Sequence, residues 1–355
     1  MTRAEAYAPG RVELLGNHTD YNEGLVLGAA IDRGVRVAGE LRDDGRVILQ
    51  STMMGEIDIS STDLAPQTAH TWANYPLGVL KELRAAGCAI SGFSARIESD
   101  VPAGSGLSSS AAFEVATALF ILKLVEERMP PLEIAKLCQR AEQRFVGVQS
   151  GLLDQVCSIF GRKDHVVYFD ARSEEVRAIP FPDNLALIIA ESGTKRELTS
   201  GFYNQRRAET QAAADALHVS ALRDASFEML ASLSPLLHRR AAHIVGENER
   251  VARAVDLLSR GDGASFGALM NESHESSRTN FENSTGELDS LVEIARQLPG
   301  VLGARLTGGG FGGATVTLCE AAKADTIAPE LQHRYAARSG HEPKIFVCRI
   351  AAGAG

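Results

Sequence analysis

The stretch VPAGSGLSSSAA, residues 101–112, constrains this chain more than any other. An extended run, GFSARIES, leads directly into it, and an apolar run, AAFEVATALFILKLVEER, follows. Strand, small-residue loop and helix start therefore stand in immediate succession. The first N–H groups of such a helix have no intrahelical partner, and the peptide dipoles favour negative charge there. Gly104 and Gly106 permit close backbone approach and unusual φ angles. A simple N-cap needs one serine; Ser108, Ser109 and Ser110 exceed that need. They are free to cap, to donate to anionic oxygens or to ligate a hard cation. The loop therefore reads as an anion cradle. It is neither a Walker loop, which requires Gly-Lys-Ser/Thr, nor a dinucleotide fingerprint, which requires a third glycine.

Two further stretches carry chemistry. APGRVELLGNHTDYNEG, residues 8–24, packs His18, Thr19, Asp20, Tyr21 and Asn22 between apolar strand runs. The cluster offers donors and acceptors at short range for a polyhydroxylated ligand, although Asp-Tyr-Asn before glycine is also good turn chemistry. TGGGFGGATVTL places five glycines in six residues between two strand-like runs. A glycine turn packed against a ligand or another loop fits that setting better than a linker.

The remainder reads as α+β. The first sixty residues or so are strand-like, residues 73–86 have helical spacing, and a second helix is expected over 131–146 after one ending near Met129-Pro130-Pro131. HVVYFD and EVRAIPF suggest a hairpin, and LALIIAES a buried strand. From about 203 to 300 the pattern is helical. The glycine turn between two strands, a helix over 320–338 and a last strand, PKIFVCRI, close the chain, with AAGAG as a low-complexity tail. Short turns between strands favour antiparallel pairing. The shift around Pro180 and Pro182 divides the chain into expected lobes of 1–182 and 183–355.

Composition excludes several function classes. A formal charge of −9, with one tryptophan and 6% aromatic residues, argues against nucleic acid. The five cysteines are odd in number and widely spaced in apolar stretches, so neither a disulfide framework nor a zinc site is expected. The charged N-terminal residues do not form a signal peptide, and Glu114 and Lys123 interrupt the most apolar run, so neither export nor a membrane span is expected. A cytoplasmic protein follows; the oligomeric state is left open by the sequence, with a monomer favoured.

The three motifs, in this order, resemble the GHMP kinase superfamily and most closely the galactokinase family. WANYPLGV (72–79), SGLLDQVCSIFG (150–161) and YNQRRAE (203–209) are also similar to family segments, so the resemblance spans essentially the whole chain. It implies a two-lobed GHMP kinase fold, with an N-terminal lobe like the second domain of ribosomal protein S5, a ferredoxin-like C-terminal lobe and the active site between them. It implies transfer of phosphate from ATP, with Mg²⁺, to the anomeric hydroxyl of a sugar, galactose first. By the same resemblance Asp154 is the catalytic aspartate and Arg11 its partner. Ser110 and Glu142 are the Mg²⁺ ligands, and the backbone of Gly104, Ser105, Gly106, Leu107, Ser108 and Ser109 cradles the phosphates. His18, Asp20, Gly151 and Tyr203 contact the sugar, and Trp72 lies near the adenine. On residue pattern alone, Asp154 reads as an N-cap and Glu142 as a solvated helix face.

One departure stands out. Galactokinases commonly carry Glu before His-Thr-Asp, contacting the C6 hydroxyl of the sugar; here it is Asn17. An amide can accept and donate a hydrogen bond but lacks the charge. A relaxed preference at C6 is therefore expected, with arabinose or galacturonate as alternative substrates. A non-catalytic galactose- and ATP-binding sensor is the reading from another class, and the complete serine run with Asp154, Arg11 and Glu142 opposes it. A mevalonate or homoserine kinase is opposed by the His18–Asn22 stretch.

Overall fold

The computed structural model describes residues 2–102, 106–193 and 199–355. Its organising feature is a long antiparallel pair, β1 (Arg3–Leu15) with β2 (Leu25–Arg42), interrupted by bulges between Pro9 and Arg11 and between Glu13 and Leu15. Bulges bend a strand and re-aim its side chains, and these bracket the two charged residues, Arg11 and Glu13, that an apolar strand would otherwise not carry.

The far edge of β2 is shared. Its C-terminal half pairs with β5 (Gly92–Ser99) and its N-terminal residues with β6 (His165–Asp170). With β3 (Arg46–Ser51), β4 (Gly55–Ser60) and β7 (Glu175–Pro180) this makes a seven-stranded sheet. The expected antiparallel pairing holds except between β3 and β5, which are parallel. The chain between them crosses over through β4 and α1 (Asn74–Ala85), as a parallel pair requires.

A second sheet of four strands, in the order β11-β8-β10-β9, is built from β8 (Leu185–Glu191), β9 (Val301–Thr307), β10 (Ala314–Glu320) and β11 (Ile345–Cys348). Between β8 and β9 the chain is helical, as its sequence suggests: α5 (Thr199–Ala216), α6 (Pro235–Ser259), α7 (Gly263–Ser276) and α8 (Gly286–Arg296). The starts follow local chemistry. Proline opens α6, and the side chains of Asp262 and Thr285 accept from backbone N–H groups at the starts of α7 and α8. α9 (Ala324–Ser339) precedes the last strand.

One apolar cluster joins the two sheets. Val12, Leu14, Leu25 and Leu27 from the first pair meet Phe266 of α7 and Val316 and Leu318 of β10. The chain end also returns to the first sheet. Ala351 donates to Ala30, Gly353 to Gly161 and Gly355 to Tyr7, which donates back. The tail that composition marked as low-complexity thus fills backbone positions beside β1 and β2. Each of the five cysteines is buried and free, and among the described residues no helix is long and apolar enough to cross a membrane.

Candidate active site

α2 (Ser109–Leu124) is buried on nearly all sides, as its all-round apolar sequence dictates. It ends at Leu124, short of the expected Met129, and Glu126 takes a left-handed φ of 57° beyond it. Its start is not capped by a serine side chain. Ser108 stands in the left-handed region at φ 56°, makes no cap bond, and donates its hydroxyl to Asp154 Oδ2. The helix N-terminus is therefore open towards a cleft of about 390 Å³ between the sheets. Gly106, Ser108, Ser109 and Ser110 line it; Leu107 turns into the core instead. Gly104 and Ser105 lie outside the described residues.

Asp154 is in the first turn of α4 (Leu153–Phe160) and faces the cleft. It is not the N-cap; Leu152 occupies that position. Arg11, 4% exposed, places Nε 2.8 Å and Nη2 2.7 Å from Asp154 Oδ1, and its Nη1 donates to the Gly106 carbonyl at 2.5 Å. Burial opposes the Arg11 charge, but Asp154 and then Glu13 more than offset it and raise the guanidinium pKa. One side chain thus ties the aspartate to the loop that precedes α2.

Glu142 follows α3 (Pro131–Ala141), where the expected single helix widens into a π-turn over Glu142–Val146. Such bulges recur at functional sites. Glu142 is buried, not solvated. It accepts from the Ser150 hydroxyl and from Gln155 Nε2 at 3.3 Å, and it is hydrogen-bonded to Ser110. Burial pushes its carboxyl up to about 7, against the pull of Ser150. A hydroxyl and a carboxylate side by side are the donor set of a hard cation. Among the described residues no group of three or more His, Cys, Asp or Glu could hold a metal alone. A divalent ion here would need further oxygens from a bound polyphosphate, as Mg²⁺ commonly does.

The opposite wall is the motif at 17–21. His18 adopts φ 63°, and both its ring nitrogens are engaged, Nδ1 with the Tyr21 hydroxyl at 2.7 Å and Nε2 with the Gly309 carbonyl at 3.1 Å. A carbonyl can only accept, so Nε2 carries the proton and Nδ1 accepts from Tyr21. Burial lowers the imidazole pKa to about 3, so the ring is neutral. It leans on Tyr203 and Phe281, with ring centroids 5.0 and 4.6 Å away. Asp20 accepts from the N–H groups of Tyr21 and Leu153, at 3.0 and 3.4 Å, and burial followed by the Asp154 charge raises its pKa. Gly151 lies against that carboxylate, where a Cβ would overlap it.

The glycine turn closes the far side. Gly308, Gly310, Phe311, Gly312 and Gly313 all have positive φ, a path that glycine-rich sequence alone follows at low cost. The carbonyl of Gly308 accepts from Asn17 and that of Gly309 from His18. The third motif thus packs on the second, as a turn set close to another loop.

Of the expected site residues that the structure describes, all but Leu107 and Trp72 line the cleft. Trp72 does not line the cleft; it stacks on Phe113 of α2, ring centroids 6.4 Å apart, and its buried indole N–H has no partner. Glu13, Ser150, Tyr75 and Phe311 line the cleft without having been singled out. Of these only Glu13 left a signal, an acidic residue inside the apolar strand run RVELLG.

Family models agree with this geometry. The galactokinase galactose-binding signature matches residues 3–41, the GHMP kinases N terminal domain residues 74–162 and the GHMP kinases C terminal domain residues 254–337. Galactokinase of Roseiflexus sp. (strain RS-1) is 43% identical over 98% of this chain and 91% of its own length. Human galactokinase is 42% identical over 98% of this chain and 90% of its own. The crystal structure of Lactococcus lactis galactokinase complexed with galactose superposes with a TM-score of 0.95 at 32% identity, covering 99% of this chain and 95% of that one. Methanococcus jannaschii mevalonate kinase, at 19% identity and a TM-score of 0.71, shares the fold alone. With the signature, both kinase domains and full-length relatives in register, the chain belongs to the galactokinase family of the GHMP kinases.

Proposed function

We propose that this chain transfers the γ-phosphoryl group of ATP, with Mg²⁺, to the anomeric hydroxyl of galactose. The observation that carries this reading is the Arg11–Asp154 pair. It stands between the uncapped start of α2 on one side and the His18, Asp20 and Tyr203 wall on the other. Two lobes, 1–182 and 183–355, each with its own sheet, would form the two sides of the cleft.

The family's motifs and the lining of the cleft support the following roles. Asp154 accepts or orients the proton of the attacking hydroxyl, and Arg11 fixes the carboxylate that does so. The backbone from Gly104 to Ser109, with the dipole of α2, holds the phosphates. Ser110 and Glu142 would be the protein ligands of Mg²⁺, which would supply charge neutralisation on the transferred group. Asn17, His18, Asp20, Gly151 and Tyr203 shape the sugar wall. Trp72 stacks on Phe113, which lies one helical turn along α2 from Ser110, and would stand near the adenine rather than in the cleft itself. Free, buried cysteines suit a reducing, cytoplasmic compartment. Activity as a monomer is the expectation, to be checked by the size of the active species in solution.

Little covalent work is asked of the protein; positioning and electrostatics supply most of the acceleration. A coupled ADP-release assay with ATP, Mg²⁺ and a panel of galactose, arabinose and galacturonate tests the reading, with NMR locating the phosphate. Galactose-dependent ADP release and a C1 phosphate are expected. No release with galactose would overturn the assignment.

A further inference from the structure

The carboxyl missing at position 17 has a counterpart nearby, at Glu13, although burial raises its pKa to about 7 against the pull of Arg305 and Arg11. Glu13 is 4% exposed and lines the cleft. Its Oε1 accepts from Asn17 Nδ2 at 2.8 Å and from Arg305 Nη1 at 3.2 Å. Its Oε2 has no hydrogen-bond partner among the described residues, yet it is not sealed from the cleft. A carboxylate oxygen that opens on the cleft without a protein partner is available to accept from a ligand hydroxyl.

The neighbouring groups are already committed. Asn17 spends one N–H on Glu13 and the other on the Gly308 carbonyl at 2.9 Å, and its Oδ1 accepts from Asn283 at 2.8 Å. Asn17 therefore acts as a strut that aims Glu13. His18 has both nitrogens occupied within the protein. The open acceptor on this part of the wall is Glu13 Oε2.

Its place relative to the reacting centre is set by β1. Residues 11–13 pair with residues 30–28 in unbroken register, so Arg11 and Glu13 project to the same face. Two residues of strand separate them by about 7 Å. Arg11 holds Asp154, where the attacking hydroxyl would lie. Glu13 lines the same cleft, set off from Arg11 by a distance comparable to the width of a sugar ring.

We infer that Glu13, held by Asn17 and Arg305, accepts a hydrogen bond from a hydroxyl on the ring edge remote from the reacting one, and determines selectivity there. The inference rests on the galactose reading above. It reverses the expectation of a relaxed preference, because the carboxylate has moved from position 17 to position 13. A uronic acid would bring its own negative charge against Glu13.

The test is kcat/KM for galactose, its 2-, 4- and 6-deoxy analogues and galacturonate, with the wild type, Glu13→Gln and the exchange Glu13→Asn with Asn17→Glu. The wild type should lose roughly tenfold to a hundredfold on the 4-deoxy or the 6-deoxy sugar, and reject galacturonate. Glu13→Gln should lose a similar factor on galactose, in KM more than kcat, and discriminate less against that same analogue. The exchange should restore discrimination. Wild-type selectivity retained in Glu13→Gln, or sensitivity confined to the 2-deoxy sugar, overturns the inference while galactose turnover stands. Absence of galactose turnover by the wild type removes both readings. Should the variants fail to fold, a crystal of the wild type with galactose decides. Oε2 within about 3.2 Å of a ring hydroxyl supports the inference, and no sugar oxygen within about 4 Å overturns it.

Discussion

Glu247 of α6 is fully buried, yet it reaches the sugar wall through the backbone. Its Oε2 accepts from the N–H groups of Gly16 and Asn17 at 2.8 and 3.0 Å, and its Oε1 pairs with Arg250 Nε at 2.6 Å. His243, one turn earlier, engages the Asn17 carbonyl at 3.1 Å. Replacing Glu247 with Ala strands two buried N–H groups, each worth about 1–3 kcal/mol, and unpairs a largely buried arginine, worth about 3–5 kcal/mol. Since these overlap, a loss of about 5 kcal/mol is expected, a large part of a typical domain's stability. Glu247→Gln keeps an oxygen for both N–H groups and loses only the charge, for about 2 kcal/mol. The pH dependence has a definite sign. Burial alone would raise this carboxyl; Arg250, then Arg305 and His243, outweigh it and hold it well below its usual 4.5. The unfolded chain then binds more protons in acid, so the stabilisation is complete above pH 4.5 and is lost as pH falls below it. Urea denaturation should show the gap between wild type and Glu247→Gln at full size at pH 7 and reduced at pH 4. The sugar KM of Glu247→Gln should rise with kcat nearly constant. A gap equal at both pH values, or a loss below about 1 kcal/mol for Glu247→Ala, would refute the reasoning.

Three further outcomes are expected. Asp154→Asn should lower kcat by about 10²–10⁴ while isothermal titration finds galactose affinity within a few-fold of wild type; turnover above a tenth of wild type would contradict its role. Glu142→Gln should raise the Mg²⁺ concentration for half-maximal rate by about tenfold or more, read from rate against free Mg²⁺ at fixed ATP. Gly151→Ala should displace the Asp20 carboxylate and raise the galactose KM by about tenfold, with little change in melting temperature, because the overlap is with a side chain at the cleft and not with the core.

The residues that reached the site from sequence are those whose local pattern is unusual. A serine run beyond what a cap needs, a dense polar cluster between strands and a glycine run with positive φ are all anomalies that an ordinary loop would not carry. Helices and strands were legible for the same reason, since periodicity is local. What was not legible depends on contacts between distant segments. The parallel pairing of β3 with β5 follows from a crossover, not from either strand's pattern. The return of AAGAG to Tyr7 and Ala30 uses backbone groups, which any composition could supply. Glu142 looked like a helix-face residue because the π-turn that buries it has no periodic signature.

The buried charges explain why the site can be in place before any ligand arrives. Asp154 with Arg11, Glu13 with Arg305 and Glu247 with Arg250 are three ion pairs centred on β1 and the loop that follows it. Each joins segments that are remote in the sequence or, through Glu247, anchors the loop to α6. Such pairs contribute little net stability compared with apolar packing, but breaking one is costly, so they tolerate few alternative arrangements. The apolar cluster between the sheets supplies the adhesion; the ion pairs fix the register at which it sets. A phosphoryl transfer that relies on orientation needs that second quality more than the first. The acidic residue in RVELLG therefore belongs to the same design as the serine loop. Both put polar groups where an apolar residue would pack better, and both face the cleft.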